Sequence, residues 1–284
     1  MYVKLLICLL LSFSMLMVAC GKSGGNAPEV LASTDGPSSG SIYGRVTDSL
    51  TGQPIENVSV AVYSGASVVS STSTNANGQY VFGEFANSNY TMNFQASGYV
   101  SILNSAIAVN GTSLNVNKSM SPPTISGQLR IVLTWYAENP AVPNISPDLD
   151  AYFLNKTENT FVYYQGTSVT WSDGASGVLD QDSTTYSGPE TITVSNISAS
   201  SSYSFYVHNY MNYDDCSSLA ASGVHVDVYQ GAGIIKSYDI PASTMGGGGA
   251  TYEFFRIQNG VIGGAQTYNE TLPIGEPTRS NCVP

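Results

Sequence analysis

Ser41-Ile42-Tyr43-Gly44-Arg45-Val46-Thr47-Asp48 and, further along, Thr74-Asn75-Ala76-Asn77-Gly78-Gln79-Tyr80 are the stretches on which the fold turns. Ile42, Gly44 and Val46 alternate with Tyr43, Arg45 and Thr47, and a period of two puts the two sets on opposite faces of an extended strand. Asn75 to Gly78 supplies residues that tolerate positive φ between two such strands. Outward from there the alternation recurs over Val58–Tyr63, Val68–Thr74, Gln79–Phe85, Tyr90–Ala96, Ile102–Val109 and Leu114–Met120. Seven short strands at this spacing predict a sandwich. Ser121-Pro122-Pro123-Thr124 then punctuates the chain. Beyond it Val224, Val226 and Val228 alternate with His225, Asp227 and Tyr229, and Tyr203, Phe205 and Val207 with Ser204, Tyr206 and His208. One apolar face per run is the pattern of a second sandwich. The fold class predicted is all-β, two tandem β-sandwich domains at 41–121 and 125–284, the second larger and jelly-roll-like.

Composition agrees. The chain has 284 residues, enough for two domains at about 150 residues each. It is 42% hydrophobic and 10% charged, against about 25% charged in an average globular protein, which rules out a disordered polyelectrolyte. A net charge of −11 repels phosphate backbones, so nucleic acid is excluded as a partner.

Lys4, the apolar run Leu5 to Val18 and Ala19-Cys20-Gly21 read as a secretory signal over 1–19. As a helix that run spans about 21 Å, short of a hydrocarbon core of about 30 Å. Leu16-Met17-Val18-Ala19-Cys20 resembles a bacterial lipobox, with Met17 where leucine is usual. The resemblance implies cleavage before Cys20, a lipid on its thiol, the membrane as partner and an outer-membrane or surface location. Residues 20–40, rich in Gly, Ser, Pro and Asn, read as a flexible tether. Cys216 and Cys282 then remain, and an even remainder in an oxidising compartment predicts one disulfide.

Gly44-Arg45-Val46-Thr47-Asp48, Thr51-Gly52-Gln53-Pro54-Ile55, Val58-Ser59-Val60, Thr74 with Gly78-Gln79-Tyr80, Tyr90-Thr91 and Gly98-Tyr99 resemble the carboxypeptidase regulatory-like domain. That resemblance implies a transthyretin-like seven-strand sandwich and a non-catalytic attachment; Asn75 stands where aspartate is common. Leu133-Thr134-Trp135, Asp148-Leu149-Asp150-Ala151-Tyr152, Leu179-Asp180-Gln181-Asp182, Gly188-Pro189-Glu190-Thr191-Ile192 and Tyr206-Val207-His208-Asn209-Tyr210 are similar to the YfaP-type domain of bacterial extracytoplasmic proteins. This implies a secreted β-sandwich and no particular activity.

Enzyme signatures are scarce. His208 and His225 are the only histidines, and no HExxH or Walker loop occurs. Asp148, Asp150, Asp180, Asp182 and Glu190 are the metal candidates. In a strand, residues i and i+2 point the same way, so each Asp-x-Asp pair can aim two carboxylates at one point, and calcium takes six to eight hard oxygens. Tyr163, Tyr164, Trp171, Tyr206, Tyr210 and Tyr213 form a candidate ligand platform on which sugar rings can stack. The function expected is a lipid-anchored, non-enzymatic binding or adhesion protein of the cell envelope, stabilised by calcium, with a glycan or a cell-surface protein as ligand. The alternatives are a carbohydrate receptor serving polysaccharide uptake, and a polysaccharide hydrolase built on the acidic cluster.

Overall fold

A computed structural model describes residues 40–135, 148–184, 188–210, 219, 222–240, 251–264 and 267–269. Cys20, Cys216, Cys282 and Tyr213 lie outside the described residues, and with them the expected lipid anchor and the expected disulfide. Pro37–Pro284 is one compact unit holding four sheets.

The first two sheets come from β1 (Ser41–Asp48), β2 (Ser59–Ser64), β3 (Ser67–Ser73), β4 (Gln79–Glu84), β5 (Ser88–Gln95), β6 (Ile102–Val109), β7 (Leu114–Asn115) and β8 (Lys118–Met120). One runs β4-β1-β7, with β8 also on β1; the other runs β3-β2-β5-β6. Between them Ile42, Val46, Val60, Val62, Phe82, Met92 and Phe94 pack into one core. The strand expected over Leu114–Met120 is split and runs parallel to β1, pairing Ile42 with Leu114 and Val46 with Lys118. The interruption lies where the Val116 carbonyl turns to accept the Tyr80 hydroxyl at 2.5 Å and Asn117 Oδ1 takes the Arg45 N–H at 2.9 Å. A Cβ on Gly44 would stand 2.1 Å from that same carbonyl oxygen, so this strand position admits glycine alone. Gly78 has φ +72 and would put a Cβ 2.4 Å from Val46 O.

The remaining two sheets are built from β9 (Gln128–Thr134), β10 (Leu149–Asn155), β11 (Thr160–Val162), β12 (Ser168–Thr170), β13 (Ser176–Gln181), β14 (Glu190–Ser195), β15 (Tyr203–Asn209), β16 (His225–Gln230), β17 (Gly233–Asp239), β18 (Thr251–Gln258), β19 (Val261–Gly263) and β20 (Thr267–Asn269). Their orders are β12-β13-β14-β9-β16-β17 and β11-β10-β15-β18-β19, with β20 also on β18. Ile131, Leu133, Phe153, Ile192, Phe205, Val226 and Phe254 fill the space between. The alternation expected to give β15 one apolar and one solvated face is overturned: every residue of Tyr203–Asn209 is buried. On its second face Tyr206 clusters with Tyr152, Leu154 and Phe161 of the neighbouring strands, and Tyr163 and Tyr164 pack on them.

Ser121–Thr124, read from sequence as punctuation, is strapped down rather than loose. Arg130 donates to Ser121 Oγ and to the Pro122 carbonyl, both at 2.9 Å, and Thr124 exchanges bonds of 3.0 and 2.7 Å with the Gly231 backbone. Val100, Val132 and Tyr229 bury an apolar contact beside it.

Candidate functional site

The acidic residues converge in part. One ligand atom each from Asp150, Asp182 and Glu190 lies within 4.8 Å of the others. Glu190 opens β14 and is 1% exposed, Asp150 on β10 is 5% exposed, and Asp182 is exposed. β11 covers β10 only from Phe153 to Asn155, so the outer edge at Ala151 is open, and Glu190 Oε2 accepts the Ala151 N–H there. Burial, the charge of Asp150 and a hydrogen bond to Asp182 push the Glu190 carboxyl well above the ordinary range. Burial and the Asp182 charge raise Asp148 in the same direction, so it belongs to the rim of the cluster. Asp180 does not. The β13–β14 register slips between Leu179 and Gln181, and this bulge breaks the i, i+2 relation on which its pairing with Asp182 rested. Asp180 instead bonds Thr193 and faces Arg130, although burial still leaves its carboxyl raised.

The tyrosines gather on the same end of the domain. Tyr163 stacks on Tyr152 at 5.3 Å and 25°, Tyr164 meets Tyr163 edge-on at 5.3 Å, and Tyr210, 44% exposed, lies 5.6 Å from Tyr164. Gln165 Nε2 donates to the Tyr164 hydroxyl at 2.9 Å and its Oε1 accepts from Tyr163 at 3.3 Å. Tyr206 lies buried beneath this arc. Glu253, paired with Arg256 at 2.6 Å and accepting from Ser204 at 2.7 Å, sits opposite Tyr206 on β18. Tyr152 was not anticipated. Trp171 is misplaced by the sequence reading: it is 2% exposed in the core, packed on Phe153 and Tyr203, its indole N–H on Thr160 Oγ1 at 2.8 Å.

The arc and the acids are continuous. The Tyr210 N–H donates to the Asp148 carbonyl at 2.9 Å, and Asp150 lies opposite His208 across β10 and β15. A row of amphipathic rings thus ends at a carboxylate cluster, an arrangement suited to a polar ligand with flat apolar patches.

Residues 41–121 match the carboxypeptidase regulatory-like domain family. The residues that carry that likeness hold the chain in place. Asp48 Oδ1 accepts the Leu50 and Thr51 N–H groups at 2.7 and 3.0 Å, and its Oδ2 takes the Tyr99 hydroxyl at 2.7 Å. Thr74 Oγ1 bridges Ile55 O at 2.7 Å and Val58 N at 2.9 Å. Asn75 Oδ1 accepts from Asn77 and Gln79, each at 3.0 Å, so it does the turn work of the aspartate it replaces. No curated protein matches the sequence. Among solved structures, a candidate carbohydrate-binding protein of Bacteroides uniformis is 12% identical with TM-score 0.27, covering 72% of this chain and 97% of its own. The shaft pilin SpaA of Lactobacillus rhamnosus GG is 10% identical with TM-score 0.25, covering 62% and 89%. The Bacillus anthracis TIE protein is 15% identical with TM-score 0.26 over 61% of this chain, which spans 29% of that protein.

A second charged group escaped the sequence reading. His225 bonds Asp227 through Nε2 at 3.1 Å and Asp239 through Nδ1 at 2.7 Å, while Ser237 Oγ donates to Asp227 at 2.5 Å. Burial alone would lower the imidazole pKa, but the two carboxylate bonds outweigh it and raise it to about 9. Lys118, from β8, faces Asp227 and Asp239 across the space between the sandwiches. The β16–β17 hairpin register sets His225 opposite Asp239 and Asp227 opposite Ser237, which is the signal that would have revealed the group.

Proposed function

We propose that this is a non-enzymatic, extracytoplasmic binding protein, lipid-anchored through Cys20 at the outer membrane, whose second sandwich recognises carbohydrate. The observation that carries the ligand class is the arc of Tyr163, Tyr164 and Tyr210 beside Gln165: flat rings for sugar faces, fixed polar atoms for hydroxyls. The hydrolase alternative fits poorly, because Glu190 and Asp150 are buried and acid–base work on a glycosidic bond needs both carboxyls open to the sugar. The family match over 41–121 adds an attachment module and no reaction. The test is a glycan array probed with the full chain carrying Cys20→Ser. Saturable binding to one glycan class, weakened about tenfold by Tyr210→Ala, supports the reading; a blank array, or binding that Tyr210→Ala leaves untouched, removes it.

The same reading gives the acidic cluster a calcium ion on Asp150, Asp182 and Glu190, with Asp148 at its rim. Three carboxylates drawn this close with two of them buried need a counter-charge or a proton, and hard oxygens suit calcium. Bound, the ion would stiffen the junction of β10 and β14 under the aromatic arc.

A further inference from the structure

Two sheets stop at strands that flank a single cleft. β6 ends the sheet β3-β2-β5-β6 and β17 ends the sheet that contains β9; between them lies a cleft of about 1000 Å³ bordered by every residue from Tyr99 to Ala108 and reaching Lys118, His225 and Asp227 at its base. An edge strand offers a row of main-chain donors and acceptors repeating every two residues, and proteins ordinarily blunt such edges with charge, proline or a bulge. β6 has a bulge at one end only, at Asn104, where φ is +56 and Asn93 Oδ1 accepts the N–H at 2.8 Å. From Ser105 to Val109 it carries neither charge nor proline, whereas β17 carries Lys236. Leu103 is 54% exposed along the same wall.

The base of the cleft adds a charge to this edge. Asp227 and Asp239 are taken up by His225 and Ser237, and among the described residues no carboxylate lies within 4.0 Å of the Lys118 ammonium, though both face it. A row of unpaired backbone groups is matched only by another extended backbone, and a lysine short of a close partner is matched by a carboxylate. We propose that an extended polypeptide segment adds as a strand to the free edge of β6, its carboxylate on Lys118. The carboxylate comes from an acidic side chain or from a chain terminus. This site is separate from the tyrosine arc, and its occupant enters by main-chain pairing rather than by ring stacking.

Main-chain pairing is tolerant of sequence, so a generic probe suffices: the peptide Thr-Val-Thr-Val-Thr-Val-Asp at about 1 mM, mixed with the full chain and read by amide hydrogen exchange. Alternate amides between Ser105 and Val109 should slow about tenfold, and N-methylation of every second peptide residue should abolish the effect in one phase and spare it in the other. Lys118→Met should weaken the acidic peptide about tenfold while leaving an amidated, asparagine-ended peptide unchanged, and Lys236→Met should do nothing. An amidated peptide ending in Asp and a free acid ending in Thr separate the two sources of the carboxylate. Unchanged exchange at Ser105–Val109, loss on neither or both N-methylated peptides, or a Lys118→Met variant that binds the acidic peptide as tightly as the wild type does overturns the proposal. So does slowing that follows protein concentration without peptide, which would make a second copy of the chain the occupant.

Discussion

The two sandwiches spend their polar residues differently. In the first, Asp48, Thr74, Asn75 and Tyr80 each satisfy a backbone group that the turns leave over. In the second, buried or half-buried ionisable groups fall into three sets: Glu190 with Asp150, His225 with Asp227, and Glu253 with Arg256. Burying a charge is expensive unless it is paired, so the first sandwich reads as optimised for holding its shape and the second as carrying groups that stability alone does not call for. Residues 41–121, which match the carboxypeptidase regulatory-like domain family, make up the first of the two.

The contrast is broken most sharply at Trp171 and Tyr210, which look alike in sequence. Trp171→Ala should destabilise the second sandwich by about 3–5 kcal/mol, as the loss of a buried aromatic does, in a urea melt followed by tyrosine fluorescence, while glycan binding by the remaining folded protein persists; a change under 1 kcal/mol would place Trp171 on the surface after all. Gly44→Ala should cost about 3 kcal/mol by driving a methyl into the Val116 carbonyl, with loss of the first sandwich ahead of the second in limited proteolysis. A neutral melt would mean that β1 and β7 can separate.

His225 gives a pH effect of definite sign. Its folded pKa, about 9, lies above the ordinary 6.5, so its ion pairs contribute fully below about pH 6.5, up to about 3 kcal/mol. That contribution is lost as pH rises through 9. Urea unfolding at pH 6 and pH 10 should show the loss in the wild type and not in His225→Gln; parallel losses in both would remove His225 as the cause. The smallest effect belongs to Glu190→Gln. With calcium at about 1 mM and a dissociation constant near 10⁻⁴ M the wild type gains about 1.4 kcal/mol, and the variant, relieved of one buried charge, should gain none and melt above the calcium-free wild type. Equal midpoints of the wild type with calcium and with chelator would dismiss the ion and leave a shared proton in its place.

How much of this was readable in advance follows from burial. Strands β1, β2, β4 and β5 were legible to within a few residues because each has a buried face and a more solvated one, so polarity alternates with the backbone. β10 and β15 are covered on both faces, and there alternation of polar and apolar residues no longer reports inside and outside. Asp150, Asp182 and Glu190 were found because carboxylates are few in a chain with 10% charged residues; Asp180 was wrongly joined to them because a one-residue bulge leaves no mark in the composition around it. Tyr152 lay in plain sight between Asp150 and Leu154, but only the stacking of Tyr163 on it shows its place. His225 and Asp239 were beyond reach without the register of the hairpin that joins them.

The parallel pairing of β1 with β8 has a mechanical meaning. The chain enters the first sandwich at Ser41, the start of β1, and leaves it at Met120, the end of β8. Tension between those two points pulls adjacent parallel strands in opposite directions along their length, so the bonds linking them are loaded together in shear instead of being peeled open one at a time. A sandwich wired in this way is a strong link in series, and in single-molecule pulling from Ser41 to Met120 it should yield at higher force than when the load is applied across β3 and β4.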